Sequence, residues 1–392
     1  MKKLFHMDQT VYDIINAIPQ SKRIFEEIGF KLDEANLAMS KKITLKMALA
    51  MKKVTAEVFE EKLRSALEEG TENQEKLRLQ GVLPCPVKIP LLEAYSAWAE
   101  ENDMNDKVDY ELQAASMGLD WLVDAIDGKD NDDAIADVFI SAGFDLFFDK
   151  NLIGKFKDKG VFKDITGFDR FNKDFDNEEM SLKDPDGHYS IIAVVPAVFL
   201  VNTDELNGRT APRTWEDLLK PEFENSVSLP VGDFDLFNAI LINIYKKYGE
   251  EGVRKLGKCM MMDMHPAEMV KSHRKPQRPA VTIMPYFFTK MTKNGGPMEA
   301  VWPADGAIIS PIFLLSKASK SEEVKPLVDF FASQELAEIL SYNGKFPSTR
   351  PGFDNMLSPD QKYMWIGWDF IKENDINQII KTCEKLFDEG RQ

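Results

Sequence analysis

Cysteine is scarce in this chain: Cys85, Cys259 and Cys383 stand far apart among 392 residues. An odd, scattered set fits a reducing compartment better than a disulfide framework. It also cannot supply the local CxxC-type cluster of a structural zinc site. Histidine is nearly as rare, and none of His6, His188, His265 and His273 stands at HExxH spacing. No GxGxxG follows a strand-like run, and neither a Walker lysine loop nor a GxSxG elbow occurs, so the common dinucleotide, P-loop and hydrolase signatures are missing. The longest apolar run, 191–201, is broken by Pro196 and falls short of the ~20 residues a membrane helix needs. Positive charge is in deficit, with 49 Lys and Arg against 65 Asp and Glu. Generic contact with nucleic acid or anionic lipid needs the opposite balance. The reading is therefore no nucleic acid, no membrane insertion and no cofactor.

What remains is ordinary globular composition, 44% hydrophobic and 29% charged, long enough for two or three domains. Charge divides unevenly. Residues 1–70 hold twelve basic and eleven acidic residues, which leaves 37 basic and 54 acidic in the rest. The opening Met1-Lys2-Lys3 has the charge of an export signal, but no apolar stretch of ~7–15 residues and no lipobox-like cysteine follows. The sequence as it stands reads as cytoplasmic, and as extracytoplasmic only if an export signal has been removed.

Residues 1–70 predict a small helical domain. Asp8 or Thr10 caps the series Val11, Ile14, Ile15, Ile18 at helical spacing, and Pro19 ends it. A helix over 22–28 stops at Gly29. A third carries Leu45, Ala48, Leu49 and Met51, and a fourth places Val58, Phe59, Leu63 and Leu67 on one face. The polar stretch 71–76 reads as a linker. From Leu77 short β-like runs alternate with amphipathic helices, the pattern of an α/β domain. Strands are predicted over 107–113, 138–141, 189–202, 226–230, 280–285 and 307–315. Helices are predicted over 90–102, 119–127, 215–220, 236–248, 266–272, 321–331 and 335–341.

Four loops at predicted strand ends carry the candidate ligand contacts. Pro84, Cys85 and Pro86 precede a helix, and Cys85 is either a packed thiol or one that meets a ligand. Ser141, Ala142, Gly143 and Phe144 follow a strand, where small residues allow close approach to backbone. Asp233, Phe234 and Asp235 open a helix as caps or as partners for a ligand. Tyr286 and Phe287 follow another strand, at the position where open α/β sheets bind ligands. The tract Cys259-Met260-Met261-Met262-Asp263-Met264-His265 offers soft donors, and Met262, Met264 and His265 are candidates for Cu(I) against a packing role.

Several segments together resemble the type II solute-binding proteins of ABC transporters, particularly the ferric-iron-binding branch. They are Ala136-Asp137-Val138-Phe139-Ile140-Ser141-Ala142-Gly143, Val201-Asn202-Thr203-Asp204-Glu205-Leu206, Pro212-Arg213-Thr214-Trp215-Glu216-Asp217-Leu218-Leu219, Ser228-Leu229-Pro230, Val301-Trp302-Pro303-Ala304-Asp305-Gly306-Ala307 and Val328-Asp329-Phe330-Phe331-Ala332-Ser333. The resemblance implies a two-lobed periplasmic-binding-protein type II fold over 77–392. Lobe one would span about 77–192 with part of 303–392, and lobe two about 200–300. Hinges would fall near 193–199 and 302–311, with all four loops facing the cleft. The ferric branch typically places adjacent tyrosines where this chain has Tyr286-Phe287, so the second phenolate is absent and an organic solute fits better. Such a cleft, lined by Tyr286, Phe287, Phe144 and Phe234, would suit a solute with an apolar part, and Asp233 or Asp235 would suit a cationic group.

The N-terminal segments Thr10-Val11-Tyr12-Asp13-Ile14-Ile15, Ile24-Phe25-Glu26-Glu27-Ile28-Gly29-Phe30 and Ile43-Thr44-Leu45-Lys46-Met47-Ala48 resemble a small helical domain of unknown function. It is found at the N-termini of bacterial proteins connected with redox and sulfur chemistry. Members often carry cysteines after the Gly-hydrophobic step, where this chain has Lys31-Leu32-Asp33, which leaves a docking role toward a protein partner. The expectation is a non-enzymatic protein that closes on a small-molecule solute, an intracellular sensor or carrier as the sequence stands and a partner of an ABC permease if exported. The alternatives are an enzyme on the same fold, using Cys85, His265 or a cleft aspartate, and a metallochaperone using Met262, Met264 and His265.

Overall fold

The computed structural model describes residues 5–18, 21–30, 40–72, 76–115, 118, 120–231, 234–293 and 295–392, with 65–72, 145, 234 and 235 described by backbone alone. The chain divides into two compact units, Met1–Lys76 and Leu77–Gln392.

The first unit contains helices α1 (Val11–Ala17), α2 (Ser21–Glu27), α3 (Leu45–Lys52) and α4 (Ala56–Glu72). Thr10, not Asp8, caps α1. Its hydroxyl accepts the Asp13 N–H at 3.1 Å and Asp13 bonds back to it, a reciprocal capping box. Val11, Ile14, Phe25, Leu45, Leu49, Phe59 and Leu63 form the core. Met51 and Val58, expected on buried faces, are exposed. Met51 lies two residues from Leu49 and Val58 one from Phe59, rotations of about 200° and 100° that carry them off those faces. The expected linker 71–76 begins inside α4, which runs past Gly70 to Glu72. Pro19 and Lys31-Leu32-Asp33 lie outside the described residues.

The second unit is built on one mixed sheet. Its strands are β1 (Leu77–Leu83), β2 (Val108–Ala114), β3 (Val138–Ala142), β4 (Ser190–Asn202), β5 (Val227–Leu229), β6 (Met260–Asp263), β7 (Val281–Pro285), β8 (Met298–Val301), β9 (Ala307–Ser316) and β10 (Tyr363–Met364). The main order is β2-β1-β3-β9-β4-β7-β5-β6, with β8 on β4 and β10 on β9. β1 pairs in parallel with β2 and β3, and β5 in parallel with β6 and β7. The long strands β4 and β9 run antiparallel and join these two halves.

Apolar residues run almost unbroken along β4 and β9 because both faces are covered. Ala197, Phe199 and Val201 enter one core with Trp215, Ile240 and Phe313. On the other face the core is split. Ala193 and Ile312 join Leu79, Leu83 and Ile140, whereas Val198, Leu200 and Ala307 join Met264, Met284 and Met298. The division falls between Ala193 and Val198 on β4 and between Ala307 and Ile312 on β9. Pro196 and Pro311, which carry no N–H, lie in those intervals.

Several elements escaped the sequence pattern, β8 and β10 among them, and two others bring backbones close together. β1 carries a glycine beside its central residue, where a Cβ on Gly81 would lie 2.0 Å from the Ile140 carbonyl oxygen. The C-terminal helix Ile376–Arg391 packs on the helical stretch Phe234–Cys259 with equally close backbones. A Cβ on Gly257 would lie 2.2 Å from the Phe387 carbonyl oxygen, and one on Gly390 would lie 2.0 Å from that of Arg254. The predicted helix end at 248 coincides with Gly249, whose φ of 68° interrupts the helical backbone before a second stretch follows.

An ion pair inside the loop before β4 is tied to that strand by a hydrogen bond from Ser190. Buried Asp164 accepts from Lys183 Nζ at 2.6 Å, Thr166 Oγ1 at 2.6 Å and Ser190 Oγ at 2.8 Å. Burial acts to raise its pKa, but the bonds from Lys183, Thr166 and Ser190 outweigh it and hold the carboxyl below its ordinary value. The resulting stability is complete above the unfolded pKa of about 3.9 and is lost as pH falls through the folded value. Asp164→Asn is expected to destabilise by about 3 kcal/mol at pH 7, with the gap to the parent narrowing at pH 3. Urea unfolding at both values checks this, and an equal gap at both would assign the cost to packing instead.

Candidate functional site

The sheet directs strand ends from both halves toward the middle of the crossover. Ala142, ending β3, pairs with Ile312 beside Pro311. Pro285, ending β7, pairs with Ala197 beside Pro196. The parallel neighbours of β3 and β7 end on the same edges, so loops after β1 and β3 confront loops after β5, β6 and β7.

The sequence-predicted residues distribute unevenly along this edge. Half-buried Pro84 and Pro86 flank Cys85, which is exposed rather than packed, in the turn Cys85–Val87. That turn abuts Gly344: a Cβ there would lie 2.6 Å from Val87 Cγ1. Tyr286 and Phe287 begin the turn Tyr286–Met291, both half-buried. Phe287 stacks on Phe346 with centroids 6.4 Å apart, and the Lys345 ammonium sits 4.1 Å from the centre of the Tyr286 ring. The loops after β1 and β7 thus meet through Gly344, Lys345 and Phe346.

Other expectations are corrected. Phe144 is fully buried, with its ring against Phe148 and Trp365, and serves the core. Ser141 is also buried and donates its hydroxyl to the Ala142 carbonyl at 2.9 Å. Gly143 is buried at φ 141°, while Ala142 remains half-buried at the strand end. Asp233 lies outside the described residues, and Phe234 and Asp235 are placed only as the first turn of Phe234–Cys259.

The methionine tract is occupied by packing. Met264 is in the core with Met269 and Met284, and Met262 packs against it. Exposed His265 caps the short helix Pro266–Met269, its Nδ1 accepting the Ala267 N–H at 3.2 Å. Asp263 accepts the Val231 N–H at 3.1 Å, tying the loop after β5 to β6. The Cu(I) reading thereby loses its thioethers. Neither Cys85 nor His265 hydrogen-bonds a carboxylate among the described residues.

The structure adds residues that local patterns did not single out. Tyr363 stacks on Phe175 at 4.8 Å and meets Trp302 edge-on at 5.6 Å, and Trp302 meets Tyr286 edge-on at 5.1 Å. The Trp302 indole N–H donates to the Lys362 carbonyl at 2.7 Å, which fixes the ring. The Tyr363 hydroxyl is buried with no hydrogen-bond partner. Burial, then the nearby Asp174 carboxylate and Tyr286, push its pKa well above the ordinary range, so it keeps its proton. Asp174 accepts from Asn355 Nδ2 at 2.9 Å. Lys290 reaches from the β7 loop to the Tyr342 and Asn343 carbonyls at 2.7 and 2.9 Å, and Lys345 bonds Thr289 Oγ1 at 3.2 Å. A groove of about 1080 Å³ reaches Asp174 and Tyr363 past Lys246, Asp305, Lys362 and Trp365. None of the described loop residues singled out from sequence lines it. The signal that was available is aromatic: Trp302 stands in a matching segment, and Tyr363-Met364-Trp365 is a short aromatic run.

Residues 133–374 match the family described as bacterial extracellular solute-binding protein, and the chain belongs to that family. The spermidine/putrescine-binding periplasmic protein of Salmonella typhimurium is 23% identical over 219 residues, 50% of this chain and 59% of that protein. The chain thus spans little more than half the length of the curated relatives it matches. The ferric binding protein from Campylobacter jejuni superposes with a TM-score of 0.56 at 17% identity, over 80% of this chain and 99% of that one. The substrate binding protein of an ABC transporter from Agrobacterium tumefaciens gives 0.56 at 14% identity, over 83% and 96%. These likenesses show the two-lobed type II fold. The family is described as extracellular, so the cytoplasmic reading of the opening residues finds no support there. No helix among the described residues is long and apolar enough to cross a membrane.

Proposed function

We propose that residues 77–392 capture a small solute bearing an ammonium group by closing two lobes, about 77–192 with part of 303–392 and about 200–300, over the crossover strands. The observation that carries this reading is the convergence of β3 and β7 on the proline-bearing middles of β9 and β4. Hinge closure of this kind lets a solute stabilise the closed population by its differential affinity.

Asp174 and the cluster of Tyr286, Trp302 and Tyr363 support the solute class, since a carboxylate beside aromatic faces suits an organic cation. No ion pair engages Asp174 among the described residues. The name of the Salmonella relative, spermidine/putrescine-binding, points the same way. Direct Fe(III) ligation is less favoured, because Phe287 replaces a phenolate and Tyr363 holds its proton. The family's extracellular description supports delivery to an ABC permease. For the N-terminal unit, exposed Met47, Met51 and Val58 support a docking role toward a protein partner.

Small-angle scattering tests closure. With 1,4-diaminobutane the chain is expected to compact. Lys290→Ala is expected to expand the solute-free chain, because it removes a cation from helix-end carbonyls on the facing segment. Neither compaction nor a thermal shift with 1,4-diaminobutane, ferric citrate or inorganic phosphate would overturn the reading.

A further inference from the structure

Lys345 is held in an uncommon way. Its φ of 50° is left-handed, a conformation that costs a non-glycine residue of order 1 kcal/mol. The residue before it, Gly344, cannot carry a side chain, because a Cβ would meet Phe346, Val87 and the Leu340 carbonyl oxygen within 2.7 Å. The crowded turn aims the Lys345 ammonium at the Tyr286 ring, 4.1 Å from its centre, with Thr289 Oγ1 at 3.2 Å. Tyr286 is the ring that leads through Trp302 to Tyr363 and Asp174. The aromatic cluster therefore already carries one cation, supplied by the chain itself. A second lies close by: burial first, and the charge of Lys345 next, lower the pKa of Lys290.

We propose that Lys345 is an internal competitor, a tethered ammonium on the Tyr286 ring that opposes a cationic solute and so sets its affinity. The proposal rests on the reading of an ammonium-bearing solute given above. Two effects act together. A solute ammonium that takes the Tyr286 face must displace Lys345 from it, and one that stops at Trp302 or Tyr363 feels like-charge repulsion in a partly dry site. Discrimination follows. A monoamine gains too little to displace Lys345, whereas a diamine that also reaches Asp174 gains a second contact.

The test is calorimetric titration of the full chain with 1,4-diaminobutane. Lys345→Met is expected to bind the diamine about tenfold more tightly than the parent, and Lys345→Arg to bind as the parent does. Lys345→Gly removes the charge and also suits a positive φ, so it keeps the comparison available if the Met variant folds poorly. It is expected to tighten binding likewise. Equal or weaker binding by the Met and Gly variants, with Trp302→Ala still losing affinity, overturns the competitor role alone. A parent that closes on phosphate or ferric citrate but never binds the diamine overturns the ammonium reading and the competitor role together, while solute capture stands.

Discussion

Trp302→Ala is expected to weaken binding of 1,4-diaminobutane by about thirtyfold or more. Trp302 is the hinge of the aromatic cluster, edge-on to both Tyr286 and Tyr363. A cation on a desolvated indole face contributes about 2 kcal/mol, and each 1.4 kcal/mol is a factor of ten. The ring is also fixed in place by its bond to the Lys362 carbonyl, so its removal frees the neighbouring rings as well. Trp302→Phe keeps an aromatic face but loses the bond, and an intermediate affinity is expected. Titration calorimetry of the three proteins reads the series directly. Unchanged affinity in the alanine variant would move the solute site away from this cluster.

Asp174→Asn should have an effect of similar size and, unlike the tryptophan, one whose sign reports the charge of the solute. The carboxylate is half-buried and hydrogen-bonded to the Asn355 amide. Asparagine retains an oxygen for that bond while removing the charge. Loss of one partner of a desolvated charge pair costs about 2–3 kcal/mol, so diamine affinity is expected to fall about thirty- to hundredfold. An anionic solute would instead bind more tightly to the variant. Measuring the diamine and phosphate side by side distinguishes the two, and a diamine affinity equal to that of the parent would remove Asp174 from the site.

Much of the architecture was legible because it rests on short-range spacing. Alternation along 194–201 assigns Ala197, Phe199 and Val201 to one face and Val198 and Leu200 to the other, and the cores divide them in that way. The Thr10 cap and the break near residue 249 were likewise local, set by a hydroxyl within reach of an N–H and by a glycine free to leave the helical backbone. Phe144 shows where local reading stopped. Its neighbours Ala142 and Gly143 do form a tight strand end, but the direction of its ring depends on Trp365, which arrives from near the other end of the chain. β1 was missed because Gly81 and Gln80 dilute its pattern, although burial against Ile140 requires a glycine there.

The candidate site was legible in its strand ends and not in its chemistry. Tyr286 and Phe287 were placed correctly after a strand, yet their partners Lys345, Phe346, Trp302 and Tyr363 come from separate segments. Tyr363 reaches the cluster because β10 pairs with Ala307 at the start of β9. That pairing is only two residues long and leaves almost no periodic trace.

Composition and spacing by themselves determined the acidic, globular character of this protein, its helical first part, its α/β second part and most of its strands. These follow from which side chains share a face of a helix or strand, a matter of a few residues. Only the tertiary structure decided which strand ends confront one another and which aromatic rings and charges meet there. The order β3-β9-β4-β7 is set by burying two crossover strands on both faces at once. Contacts made that way join residues whose distance along the chain carries no signal of their nearness in space.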